Sequence, residues 1–284
     1  MAGQTGAMGK HIIDVLIEER CPHLAASPVW PLVRPALYLA LNYTTARALA
    51  DAIAGKSGEE ALTIVSRLLH LDVKADGLAR LPATGRCVVV ANHPTGIADG
   101  VAMYDLIKTV RPDVIFFANA DALRVCPRFS ENLIPVEWVQ EKRSLEKTKQ
   151  TLRAANEAFA AERPVMIFPA GRLAKRIDGV IQEPEWEPSA VSLARKHKAP
   201  VIPIHVEGPY PFLFHLFDRV SKELRDITLF HELLNKAGKT YTLTIGKAIA
   251  PESLVGDAGA LSAALKTFTT KILGVNPDAE FTPS

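Results

Sequence analysis

His93 and Asp99 are the two side chains of this sequence best placed for proton transfer. They lie in Asn92-His93-Pro94-Thr95-Gly96-Ile97-Ala98-Asp99-Gly100, directly after the apolar run Cys87–Ala91. In open α/β sheets, functional groups collect where a strand hands over to a helix, and His93 sits at such a junction. Positions six apart on a regular helix point about 120° away from each other. The pair can meet only if the chain between them bends. Pro94 biases His93 away from helical dihedrals, and Gly96 frees the direction of the loop. Once in contact, the carboxylate would hold one imidazole tautomer and stabilise the imidazolium, leaving the other nitrogen as a general base. The same residues also suit a turn in which Asn92, Thr95 and Asp99 only cap a helix.

The elements that must carry this pair are visible in the hydropathy pattern. From about residue 86, short β-branched or aromatic runs alternate with helical stretches. The runs are Cys87–Ala91, Val114–Ala118, Val165–Phe168, Val201–Val206 and Tyr241–Ile245. Near-continuous apolar runs suit strands buried on both faces. Asp99–Val110, Glu141–Glu162, Pro188–Lys198 and Gly259–Leu273 read as the intervening helices. The expected fold class is α/β, a largely parallel central sheet flanked by helices, with an N-terminal helical segment. Between Pro28 and Leu71 apolar residues recur at three and four spacings, broken at Gly55–Gly58. The division expected is a helical segment over residues 1–79 and an α/β domain over 80–284.

Composition narrows the function classes. The chain has 284 residues, 48% of them hydrophobic and 23% charged, with a formal net charge of +2. Such a balance excludes disorder and gives no support to nucleic-acid binding. Three widely spaced cysteines, Cys21, Cys87 and Cys126, fit neither a disulfide framework nor a thiolate metal site and point to a reducing compartment. No metal site is expected at His93 and Asp99, because no second His or Cys stands at a ligand-like spacing. The first twenty residues do not read as a signal peptide. Val29–Leu41 is too short and too broken by Arg34, Pro31 and Pro35 to span a bilayer. Burial is expected for it, with an interfacial position as the alternative. His205 reads as a hydrogen-bonded structural residue, Trp186 as a packing anchor, and Pro209–Leu216 as either core or a lipid-contacting rim.

Four segments together resemble the glycerolipid acyltransferases, the lysophosphatidic acid acyltransferase superfamily. Asn92-His93 with the downstream Asp99 resembles the first block of that superfamily. Its five-residue spacing, in place of the usual four, resembles the hemolysin-like branch. Glu131–Val136 resembles the second block, without its Arg. Phe168-Pro169-Ala170-Gly171 resembles the third, with Ala170 where a Glu is usual and Arg172 one position early. Val201–Ile204 resembles the fourth. The resemblance covers about residues 80–250.

What it implies is transfer of a fatty acyl group from acyl-CoA or acyl carrier protein to a lyso-lipid hydroxyl, with no cofactor. His93 and Asp99 are the implied catalytic pair. Asn92, Thr95, Gly96, Phe168, Pro169, Gly171, Arg172, Lys175 and Arg176 are the implied substrate-binding residues. The cations would serve an acceptor head group or coenzyme A phosphates, and backbone N–H groups near Gly171, or a helix start after it, would hold the oxyanion. The absent second-block Arg weakens the case for a simple phosphate-bearing acceptor and leaves a lyso-ornithine lipid or another lyso-lipid open. The implied location is cytoplasmic, peripheral on the inner face of the membrane. The rival readings are a lipid-binding protein without turnover and an acyl-thioester hydrolase.

Overall fold

The computed structural model describes residues 9–137, 144–177 and 180–283. Five helices come first: α1 (Ile12–Arg20), α2 (Pro22–Ala26), α3 (Trp30–Ala40), α4 (Tyr43–Ile53) and α5 (Gly58–Leu69). The break expected at Gly55–Gly58 falls between α4 and α5. Ser57 restarts the helix with a reciprocal cap: its hydroxyl takes the Glu60 N–H, and the Glu60 carboxylate takes the Ser57 N–H.

The sheet and its helices follow. In chain order they are β1 (Asp72–Asp76), β2 (Cys87–Ala91), α6 (Ile97–Ile107), β3 (Ile115–Asn119), α7 (Asp121–Val125), β4 (Leu133–Val136), α8 (Leu145–Ala160) and β5 (Pro164–Ile167). Then come β6 (Lys175–Ile177), β7 (Val180–Gln182), α9 (Ser189–His197), β8 (Val201–Glu207), α10 (Phe212–Asp218), α11 (Lys222–Ile227), α12 (Leu229–Leu234), β9 (Thr240–Ile245) and α13 (Ala258–Thr267). Seven strands form one sheet in the order β1-β9-β8-β2-β5-β3-β4. β8, β2, β5, β3 and β4 run parallel; β9 runs antiparallel to β8 and carries β1 parallel to itself. The α/β class read from the sequence is the one observed. β6 and β7 make a separate hairpin.

Alternation along β2 shows how the sheet is held. Cys87, Val89 and Ala91 face one apolar layer, with Val65 and Leu69 of α5 and Met103 and Ile107 of α6. Val88 and Val90 face the other, with Phe159 of α8, Val191 of α9 and Leu265 of α13. All five β2 residues are fully buried. Burying each Val side chain stabilises the fold by about 1.5–3 kcal/mol, so the strand that delivers His93 is anchored on both faces. The three cysteines are free and buried.

The burial expected for Val29–Leu41 is overturned. α3 docks on the N-terminal helices through Trp30, Val33, Leu37 and Tyr38. Leu32 and Leu39 on its other side are 80% and 84% exposed. A helix that is apolar all round needs partners on two sides, and this layer of helices gives α3 only one. Among the described residues no helix is long and apolar enough to cross a membrane.

Candidate active site

β2 ends at Ala91, and Asn92 fixes where it ends. The Asn92 side-chain amide donates to the Val206 carbonyl (2.9 Å) and its oxygen accepts the Val206 N–H (2.7 Å). It acts as one more rung of the β2–β8 ladder, so both of its polar groups face protein. The chain then turns through Pro94, Thr95 and Gly96 into α6. Gly96 has φ 111° and ψ −150°, a region essentially closed to side-chain-bearing residues. A Cβ there would also come within 3.1 Å of Leu173 Cδ2.

The turn wraps around Asp99, which stands in the first turn of α6 and is fully buried. Its Oδ2 accepts the N–H groups of Thr95 (2.9 Å) and Gly96 (3.1 Å) and faces His93 Nδ1 at 2.9 Å. Its Oδ1 accepts the Thr95 hydroxyl (2.5 Å). The bend allowed by Pro94 and Gly96 is therefore present, and Asp99 both caps α6 and holds the imidazole. The two meanings read from the sequence coexist in one carboxylate. With Nδ1 on Asp99, any proton transfer by this ring would fall to Nε2. The His93 side chain is 10% exposed.

Tyr241 of β9, named in the sequence only as part of a strand, completes this core. Its hydroxyl lies 2.7 Å from Thr95 Oγ1. The single Thr95 proton points to Asp99, so Tyr241 is the donor to Thr95. Burial, reinforced by the Asp99 charge, pushes the phenol upward and keeps it neutral. A Cβ on Gly208 would come within 2.6 Å of the Tyr241 ring and 2.7 Å of Thr95 Cγ2. Gly208 thus lets the end of β8 lie flat on the pair.

The Phe168 ring stacks on His93 with centroids 4.2 Å apart. Pro169 and Ala170 are buried, and the Gly171 N–H closes a turn on the Phe168 carbonyl (3.0 Å). The Gly171 N–H is thus already engaged, and the chain runs into the β6–β7 hairpin before α9, the helix expected over Pro188–Lys198, begins at Ser189. Arg172 is exposed, and Lys175 Nζ lies 4.0 Å from Asp218. The Arg176 side chain lies outside the described residues. A cavity of about 370 Å³ opens beside this turn, lined by Phe117, Val136, Phe168, Pro169, Arg172 and Glu187 among others. Phe168 separates it from the imidazole, because that ring lines the cavity and stacks on His93.

Sequence reasoning missed Glu183. Its Oε1 and Oε2 accept the His93 backbone N–H at 3.1 and 3.3 Å, and Oε1 accepts the Trp186 indole N–H at 3.3 Å. Desolvation pushes its carboxyl up to about 7, against the attraction of His93. The bare order Glu-Pro-Glu-Trp could have flagged a carboxylate tied to a buried tryptophan, but nothing in it points back ninety residues to His93. Trp186 is buried, as expected of a packing anchor.

Comparison with known proteins places the chain among acyltransferases. The sequence pattern of the acyltransferase family matches residues 47–272. A lyso-glycine lipid O-acyltransferase of Phocaeicola vulgatus is 30% identical over 201 residues, covering 68% of this chain and 70% of that one. A lyso-glycine lipid O-acyltransferase of Bacteroides thetaiotaomicron is 27% identical over 201 residues, covering 68% and 72%. Among solved structures, the 1-acyl-sn-glycerophosphate acyltransferase PlsC of Thermotoga maritima aligns over 92% of this chain and 94% of its own, at 18% identity and a TM-score of 0.48. With the family pattern spanning most of its length, the chain belongs to the acyltransferase family.

Proposed function

We propose that this acyltransferase moves a fatty acyl group from a thioester, acyl-CoA or acyl carrier protein, to the hydroxyl of a lyso-lipid, with His93 as general base and Asp99 as its orienting partner. The observation that carries the mechanism is the buried 2.9 Å contact between His93 Nδ1 and Asp99 Oδ2. An alcohol is a poor nucleophile at neutral pH. His93 Nε2 takes its proton as the oxygen attacks the thioester carbonyl. The new C–O bond forms, the tetrahedral oxyanion collapses, the C–S bond breaks, and the imidazolium returns the proton to the departing sulfur. The oxyanion needs fixed donors. With the Gly171 N–H spent on Phe168 and the Ala174 N–H on the His93 carbonyl, the backbone N–H groups of Arg172 and Leu173 are the candidates. Arg172 and Lys175, near this turn, would meet anionic parts of donor or acceptor.

The relatives act on lyso-glycine lipids, and the second block of this chain lacks the Arg usual there. Both support an acceptor whose head group is an amino acid and not a phosphate. Membrane contact is supported by Leu32 and Leu39 of α3 and by Phe212, which is 63% exposed at the start of α10.

The test is transfer of labelled acyl groups, from acyl-CoA and from acyl carrier protein, to lyso-lipids presented in vesicles. A lyso-glycine lipid should be acylated at least about tenfold faster than lysophosphatidic acid, a discrimination of about 1.4 kcal/mol. Preference for the phosphate-bearing acceptor would overturn the acceptor assignment. Thioester cleavage at the same rate without acceptor would favour the hydrolase.

A further inference from the structure

The chain after Gly171 leaves the sheet, forms the β6–β7 hairpin and returns, and both of its ends seize the same residue. On the outward path the Ala174 N–H donates to the His93 carbonyl at 3.1 Å. On the return path the Glu183 carboxylate accepts the His93 N–H. Both backbone polar groups of His93 are thus held by one excursion, and Ala170 leaves the Phe168–Gly171 turn itself without a carboxylate.

We propose that Glu183 is a positioning residue of the acyl-transfer site, a second carboxylate that fixes the His93 backbone and, by its charge, favours the imidazolium formed during attack. It rests on the base assignment given to His93 above. The side chain is itself oriented, because the Trp186 indole, locked in the apolar layer on the α8–α9–α13 face of the sheet, donates to Oε1. The titratable groups acting on it are His93 and Asp99, both on the β2–α6 turn. His93 favours the ionised form and Asp99 opposes it. A carboxyl held near 7 by burial is a costly feature to retain for packing alone. Folding is opposed by its ionisation, and that cost sets in as pH rises from the ordinary glutamate range through about 7. Carboxyls shifted by desolvation beside a specific charged partner cluster at functional sites.

The variants are Glu183→Gln, which keeps an acceptor for the His93 N–H and removes the charge, and Glu183→Asp, which keeps the charge on a shorter arm. In acyl transfer, Glu183→Gln should lower kcat about 10- to 100-fold with KM changed less than about threefold, and move the acid limb of the kcat profile to lower pH. Glu183→Asp should restore part of the rate. In thermal melting, which needs no substrate, Glu183→Gln should match the wild type near pH 4.5 and become the more stable of the two by pH 8. A wild-type kcat and acid limb in Glu183→Gln, or a melting difference that does not change with pH, would overturn the proposal. His93→Ala run alongside separates the two levels. If it retains the wild-type rate, the base assignment fails. If it is inactive while Glu183→Gln is not impaired, only the role of Glu183 falls.

Discussion

Asp99→Ala is expected to lower kcat by roughly 10³–10⁴-fold and to destabilise the protein by about 3–5 kcal/mol. The two losses have one origin. Asp99 is fully buried and satisfies four donors: the Thr95 and Gly96 N–H groups, the Thr95 hydroxyl and His93 Nδ1. Removing the carboxylate frees the imidazole to adopt the wrong tautomer and leaves buried donors unpaired. Asp99→Asn separates the effects in part. Its oxygen still accepts, but its NH₂ must point at a donor, so the catalytic loss should persist while the melting loss shrinks. Chemical unfolding and steady-state acylation of the two variants, side by side, check this. A stable Asp99→Ala protein with near-normal kcat would mean that the aspartate is only a cap.

The second large effect lies away from the imidazole. Lys236 and Glu232 are an ion pair with side chains only 3% and 1% exposed, at 2.7 Å. Glu232 also accepts the Asn235 amide and the Phe214 N–H, which ties α12 to α10. Breaking a buried pair by removing one partner costs about 3–5 kcal/mol, because the other charge stays behind. Lys236→Ala should therefore destabilise strongly, and Glu232→Leu with Lys236→Met should recover most of the loss. Desolvation pushes the Glu232 carboxyl up, but the Lys236 and Asn235 bonds outweigh it and hold it below the usual carboxylate range. A depressed carboxyl contributes stability that is fully present above the ordinary glutamate value of about 4.3 and is lost as pH falls through the folded value. The gap between wild type and Lys236→Ala should hold from pH 6 to 8 and close on acidification. A pH-independent gap would contradict the role given to the pair.

The sequence was most legible where a pattern is strong and local. β2 is a run of five apolar residues that feeds straight into Asn92-His93, and the bend to Asp99 is written in Pro94 and Gly96. β1 escaped because Asp72–Asp76 is an edge strand with almost every side chain exposed, so it carries no alternating apolar signal. Tyr241 and Glu183 escaped for a different reason. Their partners in the site stand 146 and 90 residues away, and only the order of strands in the sheet and the path of the β6–β7 hairpin bring them in. The helix expected over Pro188–Lys198 is α9, Ser189–His197, with Pro188 immediately before its first residue, where a missing N–H costs the helix no interior bond. α3 misled because an apolar composition states what a helix prefers to touch and not how many neighbours the fold supplies.

Single-turnover transfer of a labelled acyl group to a lyso-lipid by His93→Ala tests the central claim most directly. Without His93, Asp99 keeps the Thr95 and Gly96 bonds that hold the turn, so the variant should melt close to the wild type and the rate should report chemistry alone. The account predicts a loss of about 10²–10⁴-fold, the usual contribution of a positioned base. Transfer at the wild-type rate to every acceptor the wild type uses would contradict it.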